Sequence, residues 1–113
     1  SPLGFGVLSG KYLGGKIPED SRLKLFPNLK RFAGKESMNA AEHYMQIALK
    51  HGISLAQMSL AFVNSRRFVT SNIIGASKMY QLKENIESIN IKLNHEILAE
   101  IENVQNKIPN PAP

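Results

Sequence analysis

The chain has no cysteine and no long apolar run, and each absence removes a class of function. Without cysteine there can be no disulfide, no thiolate nucleophile and no thiolate zinc site, and a reducing cytoplasm is the plain expectation. No segment approaches the roughly 20 consecutive apolar residues that span a bilayer, so membrane insertion is not expected. The N-terminus lacks the basic-then-apolar order of a secretory signal. Metal ligands are also scarce. His43 and His51 stand eight residues apart with no cysteine to join them, so no metal is expected, and His51 reads more simply as a partner for a helix C-terminal dipole. Two familiar phosphate loops fail as well. Ser9 stands where a dinucleotide fingerprint beginning at Gly4 and Gly6 needs its third glycine. Gly10-Lys11 is followed by Tyr12, and Phe5 occupies the first glycine position of a P-loop.

What remains is ordinary globular material. A chain of 113 residues fits one domain and can bury about 65 % of its unfolded surface. The apolar fraction is 42 % and no stretch is of low complexity. The net charge is +5, and seven of the fourteen basic residues lie between Lys11 and Lys35. Such a patch attracts phosphate on a nucleotide, a nucleic acid or a membrane, and charge alone does not choose among them. Arg66-Arg67 reads as a solvated connector, and the aromatic interleaving of a nucleic-acid binder is poor, so no nucleic-acid partner is expected.

The most informative stretch is Thr70 to Ile89. Ile73-Ile74 predict a short buried strand, Gly75-Ala76-Ser77 a turn, and the residues from about Ser77 onward a helix. At about 100° per residue, Met79, Leu82, Ile86 and Ile89 make one apolar stripe, expected on a core. Ser77, Gln81, Glu84 and Asn85 make a polar stripe roughly 130° away. A helix N-terminus at a strand end suits a phosphate, and Lys78 adds positive potential. Glu84 can accept from an adenine amino group, and Asn85 can both donate and accept along a purine edge.

Other segments supply packing. Residues 13–37 show no period and predict a long loop with at most one helical turn, in which Lys24, Lys30, Arg31 and Lys35 read as solvated. Ala41, Tyr44, Met45 and Ala48 predict a helix from Met38 to Lys50, with Gly52 as its C-terminal cap. Ser54 and Gln57 open the next helix in a capping-box pattern, with Leu55, Met58, Leu60, Phe62 and Val63 inside. Asn94 caps a last helix carrying Ile97, Ile101, Val104 and Ile108, and Pro109 begins an extended tail over 109–113.

Ile73-Ile74-Gly75-Ala76-Ser77, followed by Gln81 and Glu84-Asn85, resembles the last strand and helix of an aldo-keto reductase, in the bacterial and potassium-channel β-subunit-like branch. The tail Glu102 to Pro113, ending Ile108-Pro109-Asn110-Pro111-Ala112-Pro113, is similar to the C-terminus of one bacterial branch. Ser1-Pro2-Leu3, Gly6 and Gly10-Lys11-Tyr12 look like the segment after the seventh barrel strand, which in relatives folds over the cofactor pyrophosphate. Ser21-Arg22 matches a Ser-Arg placed beside pyrophosphate and adenine. The resemblance implies an α/β fold: the C-terminal fragment of a (β/α)8 TIM barrel, its last two strands and their helices. In that reading 1–12 is a strand end and glycine-rich loop, 13–37 a long loop, 38–108 the helices and last strand, and 109–113 the tail. It implies NADP(H) as cofactor, held by Ser1, Pro2, Leu3, Gly6, Lys11, Arg22, Gly75, Ser77, Gln81, Glu84 and Asn85. Phe5 falls at a position that varies among relatives.

The implied reaction is hydride transfer between NADPH and an aldehyde or ketone. It needs a proton donor, which relatives supply with a tyrosine tuned by lysine and aspartate on earlier strands. Tyr12, Tyr44 and Tyr80 do not fit that motif, so no catalytic residue is expected in these residues. The chain, beginning Ser1-Pro2-Leu3, is expected to be a piece of a longer protein that meets its small carbonyl substrate through the N-terminal part. Taken alone it should be mainly helical, inactive and able to self-associate through its exposed strand surface. The alternative is a nucleotide-responsive regulatory subunit of the channel-β type, binding NADP(H) with little turnover.

Overall fold

A computed structural model describes residues 1–28 and 31–113 of the chain. Among them run five α-helices: α1 (Arg22–Leu25, a single turn), α2 (Lys35–Lys50), α3 (Leu55–Asn64), α4 (Met79–Glu87) and α5 (His95–Lys107). Short 3₁₀ segments at Gly4–Ser9 and Leu13–Gly15 precede α1, and another at Ser88–Asn90 joins α4 to α5. The expected loop over 13–37 therefore holds a 3₁₀ turn and α1, and the assignment of Lys30 to it lies outside the described residues.

The helix ends follow local chemistry. Ser54 accepts from the N–H of Gln57 and Asn94 from that of Ile97, each filling one donor that a helix start leaves open. Gly52, at φ +69°, turns the chain after α2 in the left-handed conformation that favours glycine. Helix α2 starts at Lys35 rather than Met38, since Lys35 and Glu36 extend it back to Gly34.

Two apolar clusters share α2. Ile47 and Ala48 meet Leu55 and Met58 of α3 and Ile97, Ile101 and Val104 of α5. Ala41 meets Val7 and Tyr12 of the N-terminal segment. Burying each leucine or isoleucine contributes about 1.5–3 kcal/mol, so the three-helix cluster is the main source of stability. The Ser37 hydroxyl donates to the Pro111 carbonyl and ties the tail to the start of α2.

Two expectations fail for one reason. No β-strand forms among the described residues, and Ile73, expected inside, is 84 % exposed. A strand exists only where a neighbour satisfies its backbone, and neither Ser1–Leu3 nor residues 71–76 has one. The apolar stripe of α4 also points outward: Met79 is 77 % exposed, Ile86 58 % and Ile89 68 %. The polar stripe, with buried Asn85, faces the rest of the chain. Residues 71–76 are held instead by side chains. Asn72 donates to Asn64, Asn64 to Ser88, and the Ser88 hydroxyl to the Asn85 carbonyl.

Candidate functional site

Helix α4 begins at Met79, two residues later than expected, because Gln81 reaches back to organise the residues before it. Its Oε1 accepts from the Ser77 N–H at 3.1 Å, the Lys78 N–H at 3.2 Å and the Ser77 hydroxyl at 3.3 Å. The reciprocal half of a capping box is impossible here, since the Lys78 ammonium has no acceptor. Three donors thus converge on one carbonyl oxygen at the start of a helix, where the macrodipole also favours negative charge. One turn on, the Glu84 carboxylate accepts from the Ser54 hydroxyl, and the Asn85 amide reaches the Gly75 carbonyl. Ser54 therefore caps α3 and fixes a residue of α4 with the same oxygen.

Opposite this helix start lies the N-terminal segment. Gly4, Phe5 and Gly6 have φ of +51°, +56° and +96°, so three successive residues bend the left-handed way. For glycine this is free; for Phe5 it costs about 1–2 kcal/mol. A side chain at Gly6 would stand 2.8 Å from the Lys11 Cε and push the end of that lysine aside, and the φ of +96° is itself one that favours glycine. Tyr12 is buried, and its hydroxyl accepts from the Leu23 N–H, which fixes α1 beside the loop. The Arg22 guanidinium lies 5.2 Å from the Phe5 ring centroid, and Phe5 packs on Phe32 at 5.1 Å. The Ser21 hydroxyl next door is 2 % exposed and has no hydrogen-bond partner among the described residues. Such an orphan is worth about 1–3 kcal/mol to whatever satisfies it.

Between these walls is a cavity of about 620 Å³. All eleven residues named from the sequence line it: Ser1, Pro2, Leu3, Gly6, Lys11 and Arg22 on one side, Gly75, Ser77, Gln81, Glu84 and Asn85 on the other. Phe5, Ser9 and Asp20 line it too, and sequence spacing gave no sign of them. Asp20 closes one edge through an ion pair with Lys78, 2.9 Å away. The hydrogen bond and charge of Lys78 hold the Asp20 carboxyl below the usual carboxylate range, and the same contacts raise the Lys78 ammonium.

A second polar group lies away from the cavity. His51 gathers with Glu96 and Glu100, while His43 turns its Nδ1 to the Asn39 carbonyl. The Lys50 ammonium already sits on both carboxylates, 3.2 Å from Glu96 and 2.5 Å from Glu100. It serves as the cation of that cluster and ties α2 to α5. Arg66 spends its guanidinium on the Phe62 ring at 4.2 Å and on the Phe62 carbonyl.

The profile of the Aldo/keto reductase family matches residues 1–106. Protein tas of Escherichia coli (strain K12) is 47 % identical over 113 residues, covering 100 % of this chain and 33 % of that protein. A probable voltage-gated potassium channel subunit beta of Oryza sativa subsp. japonica is 37 % identical over 115 residues, 96 % of this chain and 35 % of that one. L-glyceraldehyde 3-phosphate reductase of Escherichia coli O157:H7 is 37 % identical over 108 residues, covering 90 % and 31 %. The chain spans about one third of the length of these relatives. Among the described residues no helix is long and apolar enough to cross a membrane. A match over nearly the whole chain, added to one cavity lined by the marked residues, identifies it as a member of the aldo/keto reductase family.

Proposed function

We propose that this chain is the NADP(H)-binding C-terminal part of a cytoplasmic barrel reductase that moves hydride between NADPH and an aldehyde or ketone. One observation carries the reading: Ser77 N–H, Lys78 N–H and the Ser77 hydroxyl converge on the Gln81 carbonyl oxygen at the cavity wall. Gln81 holds the position that a phosphate oxygen would take, and rotation of its amide releases the three donors together. The Arg22 guanidinium offers further donors on the facing wall. The residues present therefore fit a dinucleotide whose 2′-phosphate meets Ser77 and Gln81 and whose adenine meets Glu84 and Asn85. Lys11, Arg22 and the Ser1–Gly6 segment cover the pyrophosphate.

The bound cofactor supplies the hydride; this chain's residues orient it and exclude water from its adenosine half. The proton donor belongs to the part of the barrel outside these 113 residues, so the isolated chain is inactive. The outward stripe of α4 and the unpaired segment 71–76 are the seam on which that remainder packs. In the second reading, which the 37 % identical channel-subunit relative favours, the same pocket binds NADP(H) for regulation and turnover is negligible.

The test is titration of the complete protein with NADPH and with NADH, followed by turnover of simple aldehydes. NADPH should bind at least tenfold more tightly, and Ser77→Ala should erase most of that preference. Equal or absent binding of the two cofactors overturns the 2′-phosphate assignment. Tight binding without turnover of any carbonyl favours the regulatory reading.

A further inference from the structure

Phe5 is the one residue other than glycine with a left-handed backbone among the described residues, and it sits between two glycines that also bend that way. Nothing in the turn itself requires a side chain there. A glycine would adopt φ +56° freely, so the ring is kept against the backbone's preference. Its surroundings show what the ring does. One contact is Phe32, tilted by 51°, which fixes the plane of the Phe5 ring. The other is the Arg22 guanidinium over that ring. Arg22 is exposed and pairs with no carboxylate among the described residues, and its helix α1 is a single turn. Without the ring, a long charged side chain on so short a helix would extend into water.

We infer that Phe5 is a positioning residue: its ring holds the Arg22 guanidinium at the cavity wall, turned toward a dinucleotide's phosphates before the ligand arrives. The inference rests on the proposed function of this cavity. A guanidinium held over the Phe5 ring and paired with no carboxylate among the described residues keeps its N–H groups free for phosphate oxygens, which it can grip as a fork. Preorganising the fork removes the rotamer entropy that binding would otherwise have to meet.

The experiment is a double-mutant cycle on the complete protein, with NADPH affinity as the readout. Phe5→Leu should weaken binding roughly two- to fivefold, and Phe5→Gly, which relaxes the backbone, should weaken it at least as much without lowering the melting temperature. Phe5→Tyr keeps a ring face and should restore wild-type affinity. Arg22→Ala should cost roughly tenfold or more, and adding Phe5→Leu to it should change affinity no further. Additive losses from Phe5→Leu and Arg22→Ala, or an unaltered affinity in both Phe5→Leu and Phe5→Gly, overturn the positioning role while leaving the cofactor site standing. Failure of the unmutated protein to bind NADPH overturns the site, and this inference with it.

Discussion

Gln81 presents one neutral oxygen to three donors, and its charge decides what a substitution does. Gln81→Glu keeps the reach and the oxygen, and a carboxylate near a helix start suits the dipole, so the fold should hold. The added charge would stand beside a 2′-phosphate. NADPH affinity should fall roughly tenfold, about 1.4 kcal/mol, while NADH affinity stays within twofold. Equal losses for the two cofactors would place the phosphate elsewhere. Asp20 and Lys78 invite a second measurement. Asp20 has its carboxyl lowered by Lys78, so the pair's contribution is present above the ordinary carboxylate range and is lost as pH falls through Asp20's depressed value. Lys78 is raised, so the same contribution is present below the ordinary lysine range and is lost as pH rises through its elevated value. The tie should therefore be complete between about pH 4 and pH 10.4. Protection of the amides of residues 19–22, taken relative to their intrinsic exchange rates, should fall below that window, and in Asp20→Asn it should be low throughout. Gln81, Glu84 and Asn85 were legible in advance because helical angle alone puts them on one stripe. Asp20 was not, since its partner lies 58 positions away and nothing local marks the pair.

At the scale of elements, caps and apolar spacing carried the reading of α2, α3 and α5, whose buried residues fall on the expected faces. Asn94 and Ser54 both cap, yet they are not equivalent. Asn94 satisfies one N–H, whereas Ser54 also donates to Glu84 and so joins α3 to α4. Asn94→Ala should cost about 1 kcal/mol and Ser54→Ala about 2 kcal/mol of unfolding free energy in urea, the difference being one hydrogen bond to a carboxylate. Equal losses would mean that the Glu84 contact contributes nothing. The burial expected of Ile73-Ile74 and of the apolar face of α4 fails for a shared reason. Periodicity says which residues lie on one face of an element, but not what that face meets. Ile73 and Ile86 read as interior because they are apolar, and they are exposed because nothing among the described residues covers them.

The whole molecule shows the same deficit as an area. A protein of 12.5 kDa should expose about 6,200 Å². This chain exposes 7599 Å², although its radius of gyration of 13.6 Å is normal for its length. The excess lies partly in Ile73, Met79, Ile86 and Ile89, the seam assigned above to the remainder of the barrel. That assignment gives one substitution opposite effects in two settings. In the isolated chain, Ile86→Lys should reduce apolar-dye binding and self-association, because it breaks an exposed patch at no packing cost. In the complete protein the same change should destabilise by roughly 2–4 kcal/mol, because it buries a charge without a partner. Sedimentation of the fragment and urea unfolding of the full chain would read the two effects. A destabilised fragment with an indifferent full-length protein would place the seam on another face and return α4 to the core.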